Sequence, residues 1–306
     1  MRAALGDAPS RRFFAAHAQS CLGSGLAYVA LPLLAYDRFG SAWAVVAVLL
    51  PDLLPAVILG PLIGALVDRW GWRLCAMLGD AIRCAAFLLL LFGESLPLLT
   101  GGAALAGLGT ALFGPAALAG LPQLAPGDRR PAVMGLFGAL DDLGLTLGPA
   151  LAAALLFVMP TDGLLALNAV SFAVSGFVIA GIRTPAMAAR EPIVERAPSL
   201  LAEARAGIRE LAGRPEVRAL LGSSTAAVLC IGMTNVGEVI LAREVLEIGG
   251  SGLAVLMTAG GVGTVAGSLA ARFKVAWEWR RAYQVGLGCM AFDLLACATL
   301  PSFWLL

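Results

Sequence analysis

The groups in this 306-residue chain that could do chemistry are ionisable side chains set inside apolar runs: Asp52, Asp80, Arg83, Asp141, Asp142, Glu238 and Asp293. Ionisable groups at bilayer depth are costly and mark a path for ions, protons or substrate unless they are paired. Asp52 stands between Pro51 and Pro55 in VLLPDLLP, near the middle of its run. A carboxylate that can be neutralised on demand is what a proton or cation relay needs, so Asp52 reads as a coupling or substrate-contact group, or as an acid paired with an arginine. Asp80 and Arg83 are three residues apart, share a helical face and can pair. We read them as structural, in a charge network at one membrane rim.

Asp141 and Asp142 are adjacent, so they point about 100° apart on a helix. Only one can face a cavity, and the spacing does not say which. Glu238 shares a face with Asn235 one turn earlier; it fits an outer-side contact or gate, or a carboxylate snorkelling to the interface. His17, the single histidine, reads as a polar anchor, and Gln19, Ser20 and Ser24 add positions that can line a cavity.

The elements that must hold these groups are membrane helices. The chain is 59% hydrophobic and 13% charged, against about 45–50% and about 25% in soluble domains. A bilayer core takes about 20 apolar residues per helix, and nine runs qualify: 13–36, 43–67, 74–93, 96–120, 131–158, 163–182, 218–241, 251–271 and 282–300. Turn residues separate them, as in Phe39-Gly40-Ser41 and Pro160-Thr161-Asp162-Gly163. The first run is too long for a signal-peptide core and is not followed by a cleavage pattern, so it is a retained helix. A net charge of +1 without a basic tract gives no reason to expect nucleic acid. The six cysteines lack C-x-x-C spacing and read as reduced packing residues.

Of the 21 Lys and Arg, eighteen fall on one side of these runs; Arg38 and Arg243 fall on the other, and Arg83 lies within a run. The positive-inside rule then places the N-terminus in the cytoplasm. Residues 183–217 form the one long polar stretch, with Leu200, Leu201, Ala204, Ile208 and Leu211 at the spacing of an amphipathic surface helix. That divides the chain into a six-helix bundle (1–182), a cytoplasmic linker (183–217) and a partial second bundle (218–306). GPLIGALVDR at 60–69 and GTVAGSLAAR at 263–272 share two glycines, a leucine and an arginine at one offset, an internal repeat. The second copy stops after three runs and the start of a fourth, so a truncated chain is expected.

GALVDRWGWR, residues 64–73, carries Gly64, Asp68, Arg69, Gly71 and Arg73 between the second and third runs. It resembles the signature loop of the major facilitator superfamily, with Trp72 in place of the first of two basic residues. GLTLGPALAA, with Gly144, Gly148 and Pro149, is similar to that family's antiporter motif, with Ala152 and Ala153 in place of the last glycines. The stretch from Leu241 to Phe273 resembles a branch of bacterial efflux carriers that includes macrolide and siderophore exporters. The resemblance covers nearly the whole chain. It implies an all-helical two-bundle fold, a cytoplasmic gating loop and a bend in the fifth helix that lines the path and limits leak. The residues accommodate these roles. Gly64 and Gly71 permit a sharp turn and a close approach of helices two and three. Asp68 can pair with Arg69, Arg73 or a helix N-terminus of the other bundle as a latch. A solvated turn obeying the positive-inside rule is the plainer reading, as ordinary small-residue packing is for Gly144 and Gly148.

The function expected is secondary active export of amphipathic small molecules by proton antiport, in a bacterial cytoplasmic membrane. Lipid, substrate and protons are the partners, and the proton gradient replaces any cofactor. An apolar cavity with few acids suits drug-like cations or neutral macrocycles; a siderophore would favour basic residues, and only Arg83 lies at depth. A non-transporting fragment is the rival. An intramembrane enzyme or a metal site has little to be built from, given one histidine and no H-E-x-x-H.

Overall fold

A computed structural model describes residues 5–124, 129–182 and 213–272, with isolated positions at 209, 285, 286, 288, 292 and 295. It is helical, without a strand among the described residues. The helices are α1 (Ala8–Phe39), α2 (Ala42–Trp70), α3 (Trp72–Leu91), α4 (Leu96–Leu124), α5 (Arg130–Leu155), α6 (Thr161–Ala180), α7 (Pro215–Ile240) and α8 (Gly249–Arg272). A single π-helical turn, Leu241–Val245, extends α7. Among the described residues, seven helices are long and apolar enough to cross a membrane: α1 to α6, and α7 with its extension. These elements match the first eight expected runs to within a few residues. The surface helix within 183–217 and the ninth run at 282–300, with Asp293, lie almost wholly outside the described residues.

Local chemistry sets the ends. Asp7 caps α1 by accepting from the Ser10 amide at 2.8 Å. Gly40 closes that helix in the left-handed region, φ 59°, and donates to Tyr36 O at 2.7 Å. Ser41 then caps α2 through the Trp43 amide. The three prolines inside α2 remove backbone donors without ending the helix.

α1 is the buried axis. Two apolar clusters form around it, one with Val29, Leu33, Leu90, Leu99 and Leu164, the other with Phe13, Trp72, Leu121 and Ile179. α1 packs on α5 and α6; α3 packs on α4 and α6; α2 packs on α4. α7 touches α1 and α2, and α8 lies on α5. Close crossings use missing side chains. A methyl added at Gly25 of α1 would sit 2.7 Å from Gly148 Cα of α5, and one at Gly109 of α4 would sit 2.7 Å from Gly79 O of α3. The outer faces carry exposed apolar side chains such as Trp43, Val57, Ile58, Phe92, Phe157 and Phe177. So continuous an apolar exterior is a lipid-facing surface rather than a water-facing one.

Candidate functional site

Three polar layers stand along the bundle. The first surrounds the signature loop. Gly71 has φ 85° and serves both as the C-cap of α2, donating to Val67 O, and as the N-terminal flank of α3. An L side chain rarely adopts that backbone, which is the physical reason for glycine there. Arg73 donates through Nε to Ile179 O at 3.2 Å and through Nη2 to Ala180 O, so it caps the C-terminal end of α6. Trp72 is buried, and its indole N–H donates to Gln123 Oε1 of α4 at 3.0 Å. Gly120 leaves the room that indole fills. The residue that departs from the signature thus anchors α3 to α4. A cleft of about 400 Å³ opens between Trp70, Arg73, Met77 and Gln123. Nearby, Arg129 and Asp7 pair at 3.0 Å. Burial works to raise the Asp7 carboxyl, but hydrogen bonds from Ser10 and Arg129 and the arginine's charge outweigh it and hold the group below its usual value.

Two expectations for this layer change. A side chain added at Gly64 would meet nothing within 4 Å, so Gly64 marks no close approach of α2 and α3. Of the partners expected for Asp68, Arg73 turns instead to the carbonyls of Ile179 and Ala180. Asp68 and Arg69, exposed at the end of α2, are both engaged in other contacts.

The second layer lies in the middle of the bundle. Arg83 and Asp80 form a buried ion pair through Nη2 and Oδ1, on the shared face that their spacing predicts. The Arg83 guanidinium is also stacked between Phe113 and Phe172, 4.1 and 4.2 Å from the ring centroids. The pair therefore belongs to the centre of α3 and not to the rim network with Asp68. Arg83, Asp52, Ser24, Tyr28, Thr110 and Asn168 border one cavity of about 240 Å³. Arg83 Nε and Asn168 Nδ2 are buried there without hydrogen-bond partners among the described residues. Asp52 is held by backbone packing: α2 meets α4 where Gly107 faces the Asp52 carbonyl, a position that leaves no room for a Cβ.

Two turns before Ser24 on the same side of α1, His17 Nε2 is 3.2 Å from Asp141 Oδ1 of α5. Cys21 Sγ donates to the same oxygen at 3.3 Å. Asp141 is thus the acid of the adjacent pair that reaches α1. Asp142 is exposed, and its backbone carbonyl accepts from Thr146 Oγ1. Gly144 and Gly148 face Cys21 and Gly25 of α1, so the glycine run makes the α1–α5 crossing, and Pro149 is buried within a continuous α5.

The third layer runs from that cavity to the end opposite Asp7. Tyr28 Oη donates to Asn235 Oδ1 at 2.5 Å, Tyr36 Oη to Glu244 Oε1 at 2.5 Å, and Arg243 pairs with Asp37 at 2.5 Å. All three join α1 to α7 and its π-helical extension. Glu238 stands close enough to Tyr28 to interact electrostatically. Arg38 holds Gly93 O and Asp162 at the same end. Sequence reasoning found Glu238 and Asn235 but passed over Tyr28, Tyr36, Asp37, Arg243 and Glu244. Their signal is a run of polar residues at the end of each helix, and nothing in the spacing pairs them across the chain. It also read no metal ligands, yet His17, Cys21 and Asp141 offer three ligand atoms within 4.8 Å of one another.

A family model described as Major Facilitator Superfamily matches residues 13–306. Macrolide efflux protein A of Streptococcus pyogenes is 26% identical over 213 residues, covering 68% of this chain and 52% of that protein. An uncharacterised MFS-type transporter of Mycobacterium tuberculosis is 34% identical over 93 residues, 30% of this chain and 22% of that protein. The chain spans about half the length, or less, of the curated relatives it matches.

Proposed function

Because the chain belongs to the major facilitator superfamily, and so to a family of transporters rather than enzymes, we propose that it acts in the export of amphipathic, macrolide-like molecules by proton antiport and alternating access. The observation that carries this reading is the mid-membrane cavity. Its lining is apolar apart from a few polar groups, the Arg83 charge is already matched by Asp80, and Asp52 is the carboxylate without such a match among the described residues. Such a lining suits a neutral or cationic amphipathic guest. An anionic, siderophore-like guest would need a cation that Asp80 does not already hold, so the siderophore reading ranks second.

Asp52 is the group we assign to proton coupling. The positive-inside bias puts the Asp7 end in the cytoplasm of a bacterial inner membrane. On that orientation the α1–α7 contacts close the outer end, and the cavity lies below a shut outer gate. The described helices then amount to a first six-helix bundle and the beginning of a second.

Everted membrane vesicles provide the test. Adding a macrolide to energised vesicles that contain the protein should release part of the stored proton gradient. Absence of macrolide-dependent proton movement, together with unchanged macrolide susceptibility of expressing cells, overturns the reading. A response to a siderophore alone selects the second.

A further inference from the structure

We propose that His17, Cys21 and Asp141 form a binding site for a borderline divalent transition metal, Zn²⁺ first, between α1 and α5. Three observations converge on it. The first is the donor set. An imidazole, a thiol and a carboxylate are the three side-chain types that bind zinc. His17 and Cys21 stand four residues apart on one helical face, the spacing that lets one helix supply two ligands.

The second is the triangle they make. His17 Nε2 to Asp141 Oδ1 is 3.2 Å, Cys21 Sγ to Asp141 Oδ1 is 3.3 Å, and Cys21 Sγ to His17 Nε2 is 3.5 Å. Zinc–ligand bonds of about 2.0–2.3 Å at tetrahedral angles put neighbouring ligand atoms about 3.3–3.6 Å apart. The three atoms already stand within a few tenths of an ångström of that separation, and a metal needs only a slight spreading to enter.

The third is preorganisation and charge. The His17 ring lies flat on Phe137, centroids 4.2 Å apart and 5° from parallel, with Phe13 and Phe113 stacked further out. That stacking fixes the plane in which Nε2 points. Cys21 and His17 are buried, whereas the Asp141 side chain is 48% exposed, which leaves an approach for the ion and room for water as a fourth ligand. When Cys21 gives up its proton on binding, thiolate and carboxylate together cancel the ion's double charge. A charge-neutral site is what burial in a membrane requires. Of the charges near the site, Asp80 and Arg83 neutralise each other, and Asp142, next in sequence to Asp141, is exposed.

The rival explanation is a hydrogen-bonded His–Asp–Cys triad that takes no metal, and the test separates the two. Purified protein in detergent, stripped with a chelator, is titrated with Co²⁺ as a coloured substitute for Zn²⁺. One tetrahedral cobalt per chain is expected, with a thiolate-to-metal charge-transfer band that Zn²⁺ displaces. Cys21→Ser should remove that band, and His17→Gln and Asp141→Asn should each weaken binding at least tenfold. Cys75→Ser and Cys230→Ser should change nothing. In the unaltered protein, Zn²⁺ should also slow alkylation of Cys21, read by mass spectrometry, and the chelator should restore it. That readout does not depend on a variant folding. Lack of a cobalt spectrum, a spectrum that survives Cys21→Ser, or alkylation indifferent to Zn²⁺ each overturns the site in favour of the triad.

Discussion

Asp37 and Arg243 stand 206 positions apart in sequence and 2.5 Å apart in space, joining the last turn of α1 to the π-helical end of α7. With Tyr36–Glu244 beside them and Tyr28–Asn235 two turns deeper, they tie α1 to α7 toward one end of the bundle, the end that closes the outer gate in the function proposed above. A partly exposed ion pair contributes about 0.2–1 kcal/mol. Arg243→Ala should therefore move the closed population at that end by at most about fivefold, read as faster labelling of a cysteine placed beside Tyr28. The exchange Asp37→Arg with Arg243→Asp should restore much of the slow labelling. Equal rates in all three proteins would show that the pair does not hold the gate.

Asp52→Asn keeps the shape of the cavity and removes the carboxylate that has no cationic partner among the described residues. We expect macrolide-dependent proton movement to disappear while binding of the guest, followed by fluorescence or calorimetry, stays within a few-fold. Unchanged proton movement would take Asp52 out of the coupling step.

Asp80→Asn leaves the Arg83 charge buried and unmatched. Removing one partner of a buried pair costs about 3–5 kcal/mol, so a large fall in the temperature of unfolding in detergent should follow. Combining it with Arg83→Met removes the stranded charge and should recover most of the loss. Failure of the double change to recover anything would place the stacking on Phe113 and Phe172, rather than the charge pair, at the root of the stability.

Gly148 and Gly64 separate crossing glycines from spectators. A side chain at Gly148 would run into the backbone of Gly25, whereas one at Gly64 meets open space. Gly148→Leu should lower stability by at least about 1–3 kcal/mol, the usual cost of overpacking, and reduce the amount of folded protein recovered from membranes. Gly64→Leu should leave recovery unchanged. Reversal of that order would mean that α1 and α5 do not cross where the structure puts them.

The helices were legible because each is a continuous apolar run bounded by Gly, Pro or a capping side chain, signals that operate within a few residues. The Asp80–Arg83 pair was legible for the same reason, since both groups sit on one helix. What stayed hidden was every relationship between distant segments. Nothing local pairs Asp37 with Arg243, chooses Asp141 over Asp142, or gives the lone His17 two ligand neighbours. Those outcomes are set by the rotation of α1 against α5 and α7. The signature loop shows the same limit from the other direction. Its residues were recognised from their pattern, but the pattern could not show that Arg73 caps α6 or that Trp72 anchors α4.

The burial of α1 has a consequence for how the protein is made. α1 has one of the lowest mean hydropathies of the membrane-crossing helices, and the largest share of it is covered by protein. Its polar face rests on α5 and α6, with Gln19 donating to Ser171 O at 2.8 Å and His17 held by Asp141. Those partners leave the ribosome more than a hundred residues later, a delay on the order of ten seconds at ordinary rates of synthesis. During that interval α1 must be sheltered at the insertion machinery or kept near the interface. Substitutions that make it greasier would ease its insertion while blurring the contacts that tell α5 and α6 where to dock.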